Sequence, residues 1–342
     1  MPPPPEARAV WFPAPRRAEL RGERLSPPGP EEVLVRTVAS AISPGTEMLV
    51  YRGEAPPDLP LDLPTLAGSY ALPAKYGYAA VGRVERAGER VRELSTGDAV
   101  FVHHPHQDLF TVPARLAVRL PAEVPPERGA FFANLETALG VAHDANLRLG
   151  ECAAVFGCGV VGLLVLRLLG LCGAGCVVAV DPLERRRRFA LRLGASSAVE
   201  PGEAAGAVRE ASGGRGADVV VEASGSAAAL REALGCVCRE GTVVVASWYG
   251  KKPAVLDLGG HFHRGRVRLR SSQVGGIAPE LSARWDRARR GRAVLDLLRH
   301  LPLEEMVTHR VPFGRAPEAY RLVDERPDET LQVILAYPQG GG

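Results

Sequence analysis

Gly157-Cys158-Gly159-Val160-Val161-Gly162 is the stretch of this chain whose residue types and spacing speak most directly of chemistry. It is a G-x-G-x-x-G that follows the apolar run Ala153 to Phe156 and opens the apolar segment Leu163 to Leu171. The first glycine permits a tight turn and the second lets backbone approach a pyrophosphate. The third lets helix and strand pack closely, and the helix N-terminus then faces the phosphate charge. Asp181 closes the next strand candidate, nineteen residues after Gly162. A carboxylate there accepts hydrogen bonds from ribose hydroxyls and repels a 2′-phosphate. The cofactor expected is therefore NAD, with NADP left open by Arg185, Arg186 and their neighbours one helical turn on. Ser224, in Glu222-Ala223-Ser224-Gly225, and Gly275, in Val274-Gly275-Gly276, end later strand candidates where short residues let a nicotinamide lie against backbone. Ordinary turn residues are the alternative.

A second group is His103, His104 and His106. Adjacent residues on an extended segment point to opposite faces, so the three are not expected to converge on a metal. His261 and His263 are read as loop residues or as contacts to substrate or cofactor. The six cysteines lie mostly in apolar runs and are expected to be buried thiols, not disulfides; none has the second pair or nearby histidine of a zinc-finger spacing.

The elements that must position these residues change character along the chain. From about residue 30 to 120, short β-type runs (Val33 to Val38, Tyr78 to Val84, Ala99 to Val102, Leu116 to Leu120) are broken by Gly and Pro, which predicts a small, mostly antiparallel β domain. Pro27 to Pro30 and Pro56 to Pro64 must be loops or edges. Glu127 to Asp144 has helical spacing. After Gly150 the order becomes strand, Gly-rich turn, helix, strand: Ala153 to Phe156, Cys176 to Val180, Ala217 to Glu222, Thr242 to Ser247 and Val267 to Ser271. That predicts a doubly wound parallel sheet. A helix near Trp285 to His300, a β segment near Val307 to Pro312, a helix near Ala316 to Asp324 and a strand at Gln332 to Ala336 are expected to return to the first domain. The fold class is thus α/β in two domains, 1–125 completed by 300–342, and 126–299, with a ligand cleft expected where the chain crosses between them.

At 342 residues, two cores are the default. The composition, 46% hydrophobic and 24% charged, is that of an ordinary globular protein, and no apolar run approaches a membrane span. Met1 to Glu6 lacks a basic region followed by an apolar one, so no leader is read there and a cytoplasmic protein is expected. A net charge of +3 is small, and the run Arg185 to Arg188 lies in a helical pattern where it is read as a solvated face. No nucleic-acid partner and no membrane partner are expected; the partner is a small-molecule substrate.

The order of a β domain, a dinucleotide domain and a β return resembles the medium-chain dehydrogenase/reductase superfamily, whose first domain has a GroES-like fold and whose second is a Rossmann domain. The residues that carry the resemblance are Ser43-Pro44-Gly45-Thr46-Glu47, residues 77–84, Gly97-Asp98-Ala99-Val100 and the 157–162 turn. Segments 75–78, 103–107, 134–138, 247–250 and 271–275 look like the branch named for bacteriochlorophyllide hydroxyethyl dehydrogenase. Zinc-using members carry a Cys in a C-G-T-D motif and a His-Glu pair in a G-H-E motif. Here Pro44, Tyr78 and Ala79 stand at those places, and the lobe that binds structural zinc in relatives is replaced by residues 103–110. The resemblance with these departures implies a zinc-independent enzyme, since a catalytic zinc needs three protein ligands and an open position.

Without zinc, the oxyanion left by hydride transfer to a carbonyl must be met by side-chain donors. The resemblance points to four. Thr46 matches the hydroxyl of the superfamily's proton relay. Tyr78 replaces a lost ligand and is read as an oxygen-side donor, or else as a cleft-lining aromatic, with Lys75 lowering its pKa if the two approach. His104 falls where relatives line the substrate pocket and is read as a polar contact or acid, with a surface histidine the alternative. Glu136 lies near a third-ligand position and is read as a general base or hydroxyl clamp. The expected activity is interconversion of a secondary alcohol and a ketone on a bulky or polyfunctional substrate, biosynthetic or cyclitol-like. The alternatives are a zinc-less quinone, enone or iminium reductase, and a non-catalytic dinucleotide sensor. The superfamily's habit of pairing final Rossmann strands implies a homodimer along Val267 to Ser271.

Overall fold

The computed structural model describes residues 6–61 and 63–338; Met1 to Pro5, on which the leader reading partly rests, and Asp62, inside the second proline-rich loop, lie outside them. In chain order, β1 (Glu6–Ala14) and β2 (Arg17–Arg24) form an antiparallel ribbon. Then come β3 (Glu32–Ile42), the short helix α1 (Thr46–Tyr51), β4 (Ala80–Ala87), β5 (Ala99–Val102), β6 (Leu109–Pro113) and β7 (Ala117–Arg119). Two helices follow, α2 (Pro126–Gly129) and α3 (Phe132–Ala145), where the periodicity predicts one; Pro126 starts the first turn, and Ala130 and Phe131 separate it from the second.

The alternation that follows is β8 (Cys152–Phe156), α4 (Val160–Leu171), β9 (Cys176–Val180), α5 (Glu184–Arg192), β10 (Ser197–Val199), α6 (Ala204–Ala211), β11 (Ala217–Glu222), α7 (Ala227–Cys236) and β12 (Val237–Val245). A short turn α8 (His263–Gly265) leads into β13 (Arg268–Ser271), and the chain closes with α9 (Arg287–His300), β14 (Val307–Pro312), α10 (Ala316–Glu325) and β15 (Gln332–Ala336).

These elements divide into two compact units. One takes in the described residues up to Ala133 and those from Leu295; the other is Asn134–Val294. In the first, strands run in the order β14-β15-β3-β4-β5-β7, with β6 also on β3. β3 is the hub because its eleven residues pair antiparallel with β4, β6 and β15. Its alternate residues Val33 and Val35 pack with Val84, Val100, Val102, Phe110 and Val112 in a buried cluster, while Leu34 between them is buried in a second cluster with Ala7 and Leu109, so β3 is covered on both faces.

In the second unit six parallel strands lie in the order β10-β9-β8-β11-β12-β13. Every residue of β8 and nearly all of β9 is buried, so these strands read as continuous apolar runs, as strands covered on both faces do. The order reverses between β8 and β11, and the loops at the carboxyl ends of those strands are where doubly wound sheets bind ligands. The α/β class and the GroES-like plus Rossmann architecture are as expected from the sequence.

One expectation is corrected. Cys152 and Cys176 are joined by a disulfide, with Cα atoms 4.8 Å apart. They are register partners at the first positions of β8 and β9, so their side chains leave neighbouring strands on one face. That adjacency is invisible across a separation of 24 residues. Cys158, Cys172, Cys236 and Cys238 are free thiols.

Candidate active site and cofactor site

In the second unit the turn after β8 is built for close approach. Gly157 has φ +93°, and a Cβ on it would lie 2.6 Å from the Ser224 amide nitrogen; a Cβ on Gly162 would lie 1.8 Å from the Gly157 carbonyl oxygen. Only glycine meets both demands. A Cβ on Gly159, the residue that precedes α4, would meet nothing within 4 Å. The turn is closed against β11 on one side and open on the other, with the amide ends of a twelve-residue helix behind it. This arrangement fits a pyrophosphate.

Asp181, buried at the end of β9, accepts the Cys158 N–H at 2.7 Å through Oδ2 and the Leu183 N–H at 2.9 Å through Oδ1. The Arg186 guanidinium stands 3.9 Å from Oδ2. Arg187 is committed elsewhere, to the Asp181 carbonyl and to Glu200. Cys158 has its thiol pushed far up by burial and, next, by the Asp181 charge, so it is an inert packing group.

Glu222, fully buried at the end of β11, is a residue to which the sequence reading gave no role. Its Oε1 accepts the Ser224 N–H, the Ser224 hydroxyl and the Gly225 N–H at 2.6–2.8 Å. It therefore shapes the turn that Ser224 occupies, while Ser247 and Lys252 hold Gly225 by its N–H and carbonyl. Gly275 and Gly276 are fixed by α9: Arg287 donates to the Gly275 carbonyl at 2.7 Å and Arg290 to that of Gly276 at 2.9 Å. Arg290 in turn faces Glu136 of α3, Nε to Oε1 at 3.3 Å, both buried. Glu136 is placed as the counter-ion of this arginine, a partner that the reading as a general base or hydroxyl clamp did not include.

The first unit holds the other cluster. The Tyr78 phenol donates to Ser43 Oγ at 2.6 Å, and the hydroxyl of Thr46, the first residue of α1, is near enough to favour its ionised form. Burial, and after it the Glu47 charge, push the phenol far above the usual tyrosine range; the Ser43 and Thr46 hydroxyls offset this only in part. Lys75 does not lower it: its ammonium is paired with Glu23 at 2.6 Å. The depression that an approaching Lys75 would bring is replaced by an elevation, caused first by burial and then by the Glu47 carboxylate.

The three histidines diverge. His103 Nδ1 bonds the Tyr78 carbonyl at 3.2 Å. His104 lies flat on Phe110, centroids 3.8 Å apart and planes at 9°, with Nδ1 on the Pro105 carbonyl. Burial lowers its pKa to about 3, so it is a neutral packing imidazole; of the readings made from the sequence, polar contact, acid or surface histidine, the acid and the surface position do not fit this placement. His106, fully buried, bonds Glu47 through Nε2 at 2.8 Å. Among the described residues no group of three His, Cys, Asp or Glu is arranged to hold a metal ion, and no helix is long and apolar enough to cross a membrane.

Two family models match the two units. Residues 29–119 match the alcohol dehydrogenase GroES-like domain, and residues 160–289 match a domain described as zinc-binding dehydrogenase. The chain belongs to the medium-chain dehydrogenase/reductase superfamily. This dehydrogenase is 26% identical over 329 residues to D-guloside 3-dehydrogenase of Escherichia coli (strain K12), covering 90% of this chain and 93% of that protein. It is 29% identical to (R,R)-butanediol dehydrogenase of Bacillus subtilis (strain 168) over 68% of this chain and 73% of that one. Its fold is that of a zinc-binding dehydrogenase from Sinorhizobium meliloti 1021 solved with NADP, with a TM-score of 0.78, 22% identity and coverage of 97% and 99%. It is an alcohol dehydrogenase/reductase whose cofactor is a nicotinamide dinucleotide.

Proposed function

We propose that this dehydrogenase interconverts a secondary alcohol and a ketone on a polyhydroxylated substrate, uses NAD in preference to NADP, and works without zinc. The observation that carries the reading is the hydroxyl cluster of Tyr78, Ser43 and Thr46, held beside the Glu47 carboxylate in place of metal-ligating side chains. Pro44 has no side-chain donor at all, and Tyr78 is engaged as a phenol.

The dinucleotide would be held by the 157–162 turn and the first turn of α4 at its pyrophosphate, by Asp181 at the adenosine ribose, and by the backbone near Ser224 and Gly275 on its nicotinamide side. When bound it supplies or accepts a hydride. The chain's own task is the oxygen. A phenol kept neutral is a donor, and its O–H, now given to Ser43, would turn to a substrate oxygen on which negative charge grows. Thr46 orients that phenol from α1. A secondary carbinol flanked by further hydroxyls suits such a cluster, and the likeness to a guloside dehydrogenase and a butanediol dehydrogenase supports a diol or sugar class.

Asp181 favours NAD because both its oxygens already collect N–H donors and a ribose hydroxyl adds one more, whereas a phosphate would meet a buried negative charge. The test is steady-state turnover of vicinal diols, glycosides and the matching ketones with NAD(H), comparing wild type with Tyr78→Phe. The reading expects kcat to fall by about a hundredfold or more, the scale of one oxyanion donor, with NADH affinity kept. A variant that turns over ketones as fast as wild type, or wild-type activity confined to enones and quinones, overturns it.

A further inference from the structure

Behind Tyr78 lies a buried polar cluster to which the chemistry above assigns no part. Glu47 and His106 are both 0% exposed. Glu47 Oε2 receives the His106 Nε2 contact at 2.8 Å and the Tyr320 hydroxyl at 2.7 Å, while Oε1 accepts the Ser43 N–H at 3.1 Å. The far ring nitrogen, His106 Nδ1, meets Ser40 Oγ at 2.7 Å, which in turn meets the Tyr337 hydroxyl at 2.9 Å. The cluster therefore draws on β3, α1, the segment before β6, α10 and the residue after β15. A carboxylate this deep is costly to desolvate, and three donors are what make it tolerable.

Two ties run from this cluster to Tyr78. One is Ser43: its backbone N–H is fixed by Glu47 and its hydroxyl accepts the phenol's proton. The other is Gly77, with φ +140°, where a Cβ would lie 2.8 Å from His106 Cδ2 and 3.1 Å from the His106 backbone nitrogen. The imidazole packs against the backbone of the residue that delivers Tyr78. The other titratable groups around the phenol are Tyr76 and Tyr70, linked to each other by their hydroxyls, and Tyr320; Lys75 is neutralised by Glu23. Glu47 is thus the carboxylate acting on Tyr78, and two negative charges in so dry a place exclude each other.

We propose that Glu47 and His106 form a positioning pair for Tyr78: the carboxylate fixes the Ser43 backbone whose hydroxyl receives the phenol O–H, and the His106 ring sets the Gly77 backbone from which the phenol projects. The proposal rests on Tyr78 being the oxygen-side donor, yet it makes a claim about coupling inside the first unit that is measurable without any substrate. Neither residue touches the reacting atoms.

The test is the 13Cζ resonance of Tyr78 in the full-length protein labelled at tyrosine, assigned by its loss in Tyr78→Phe, and followed from pH 7 to 11.5. In wild type the resonance stays that of a phenol past the ordinary tyrosine value of about 10. In Glu47→Gln it begins to move toward the phenolate position within this range where wild type does not, in Glu47→Asp it returns toward wild type, and in His106→Gln its shift at neutral pH moves because Gly77 relaxes. A wild-type Tyr78 that ionises near 10, or identical titrations in wild type and Glu47→Gln, overturns the pairing. If the Glu47 variants do not fold, His106→Gln carries the test: a Tyr78 resonance that does not move at neutral pH overturns the pairing. With a ketone substrate, Glu47→Gln lowers kcat about tenfold or more and leaves the KM for NADH unchanged. Full turnover by Tyr78→Phe would sink the functional reading, whereas the resonance would still decide the coupling.

Discussion

Glu136 of α3 and Arg290 of α9 face each other 3.3 Å apart, Oε1 to Nε, with both side chains buried. Arg290 also holds the carbonyl of Gly276, so the pair ties α3 to the glycine loop after β13. Removing one partner leaves a charge that water cannot reach. Glu136→Ala is expected to cost about 3–5 kcal/mol, read as a lowered midpoint in urea. In the protein that remains folded, the KM for NADH rises while kcat is not abolished. A stable, catalytically dead variant would return Glu136 to the role of general base.

His104 carries a pH dependence of stability whose sign follows from its burial. Its folded pKa, lowered to about 3, lies below the unfolded value of about 6.5. As pH falls from 6.5 toward 3, the unfolded chain takes up a proton that the folded chain refuses. The contribution is present in full above 6.5 and is lost at up to about 1.4 kcal/mol per pH unit below it. Urea titrations at pH 6.5 and 4.5 should show a loss in wild type that is smaller by ~1–3 kcal/mol in His104→Leu. Parallel losses in the two proteins would contradict the neutral, packed imidazole.

Asp181 binds two backbone N–H groups and is proposed to select the cofactor. Asp181→Asn removes the charge that repels a 2′-phosphate and leaves Arg186 beside the site. Fluorescence titration is expected to show NADH binding weakened about tenfold, ~1.4 kcal/mol, with NADPH binding improved. Wild-type protein that prefers NADPH would show instead that the α5 arginines dominate.

Gly157→Ala tests the turn. The substitution forces a Cβ to 2.6 Å from the Ser224 nitrogen at φ +93°, a strain of about 1–3 kcal/mol that moves β8 away from the segment Glu222 organises. NADH binding should be lost at concentrations that saturate wild type, with the circular dichroism of the fold retained. Unaltered binding would mean that the turn does not carry the pyrophosphate.

The dinucleotide half was legible because its strands are buried on both faces and announce themselves as apolar runs, with a glycine fingerprint between β8 and α4 where the backbone has no slack. β1 and β2 were missed for a different reason: β1 has buried Ala7, Ala9, Val10 and Phe12, but five of the eight residues of Arg17–Arg24 are charged, and nothing local says that this segment pairs with β1. β6 escaped because five residues ending in Pro113 look like a loop. At the candidate site, motif position brought Thr46 and Tyr78 forward, but Glu47 was passed over and His106 counted only as a flank. A carboxylate's burial and its partner 59 residues away are tertiary facts. The same holds for Lys75, whose partner Glu23 lies on the unpredicted β2, and for Cys152 and Cys176, which meet only through strand register. A reader of the sequence alone has one signal for Glu47: an acidic residue among the apolar Met48, Leu49 and Val50 must find donors.

The central claim is that side-chain hydroxyls, and not zinc, meet the substrate oxygen. The most direct measurement is zinc per chain and diol or ketone turnover with NAD(H) on the same protein sample, before and after exhaustive chelation and again after zinc is returned. The account predicts turnover that is unchanged by chelation at well under one zinc per chain, and that is lost in Tyr78→Phe. Turnover that disappears with the metal and returns in proportion to zinc bound would contradict it.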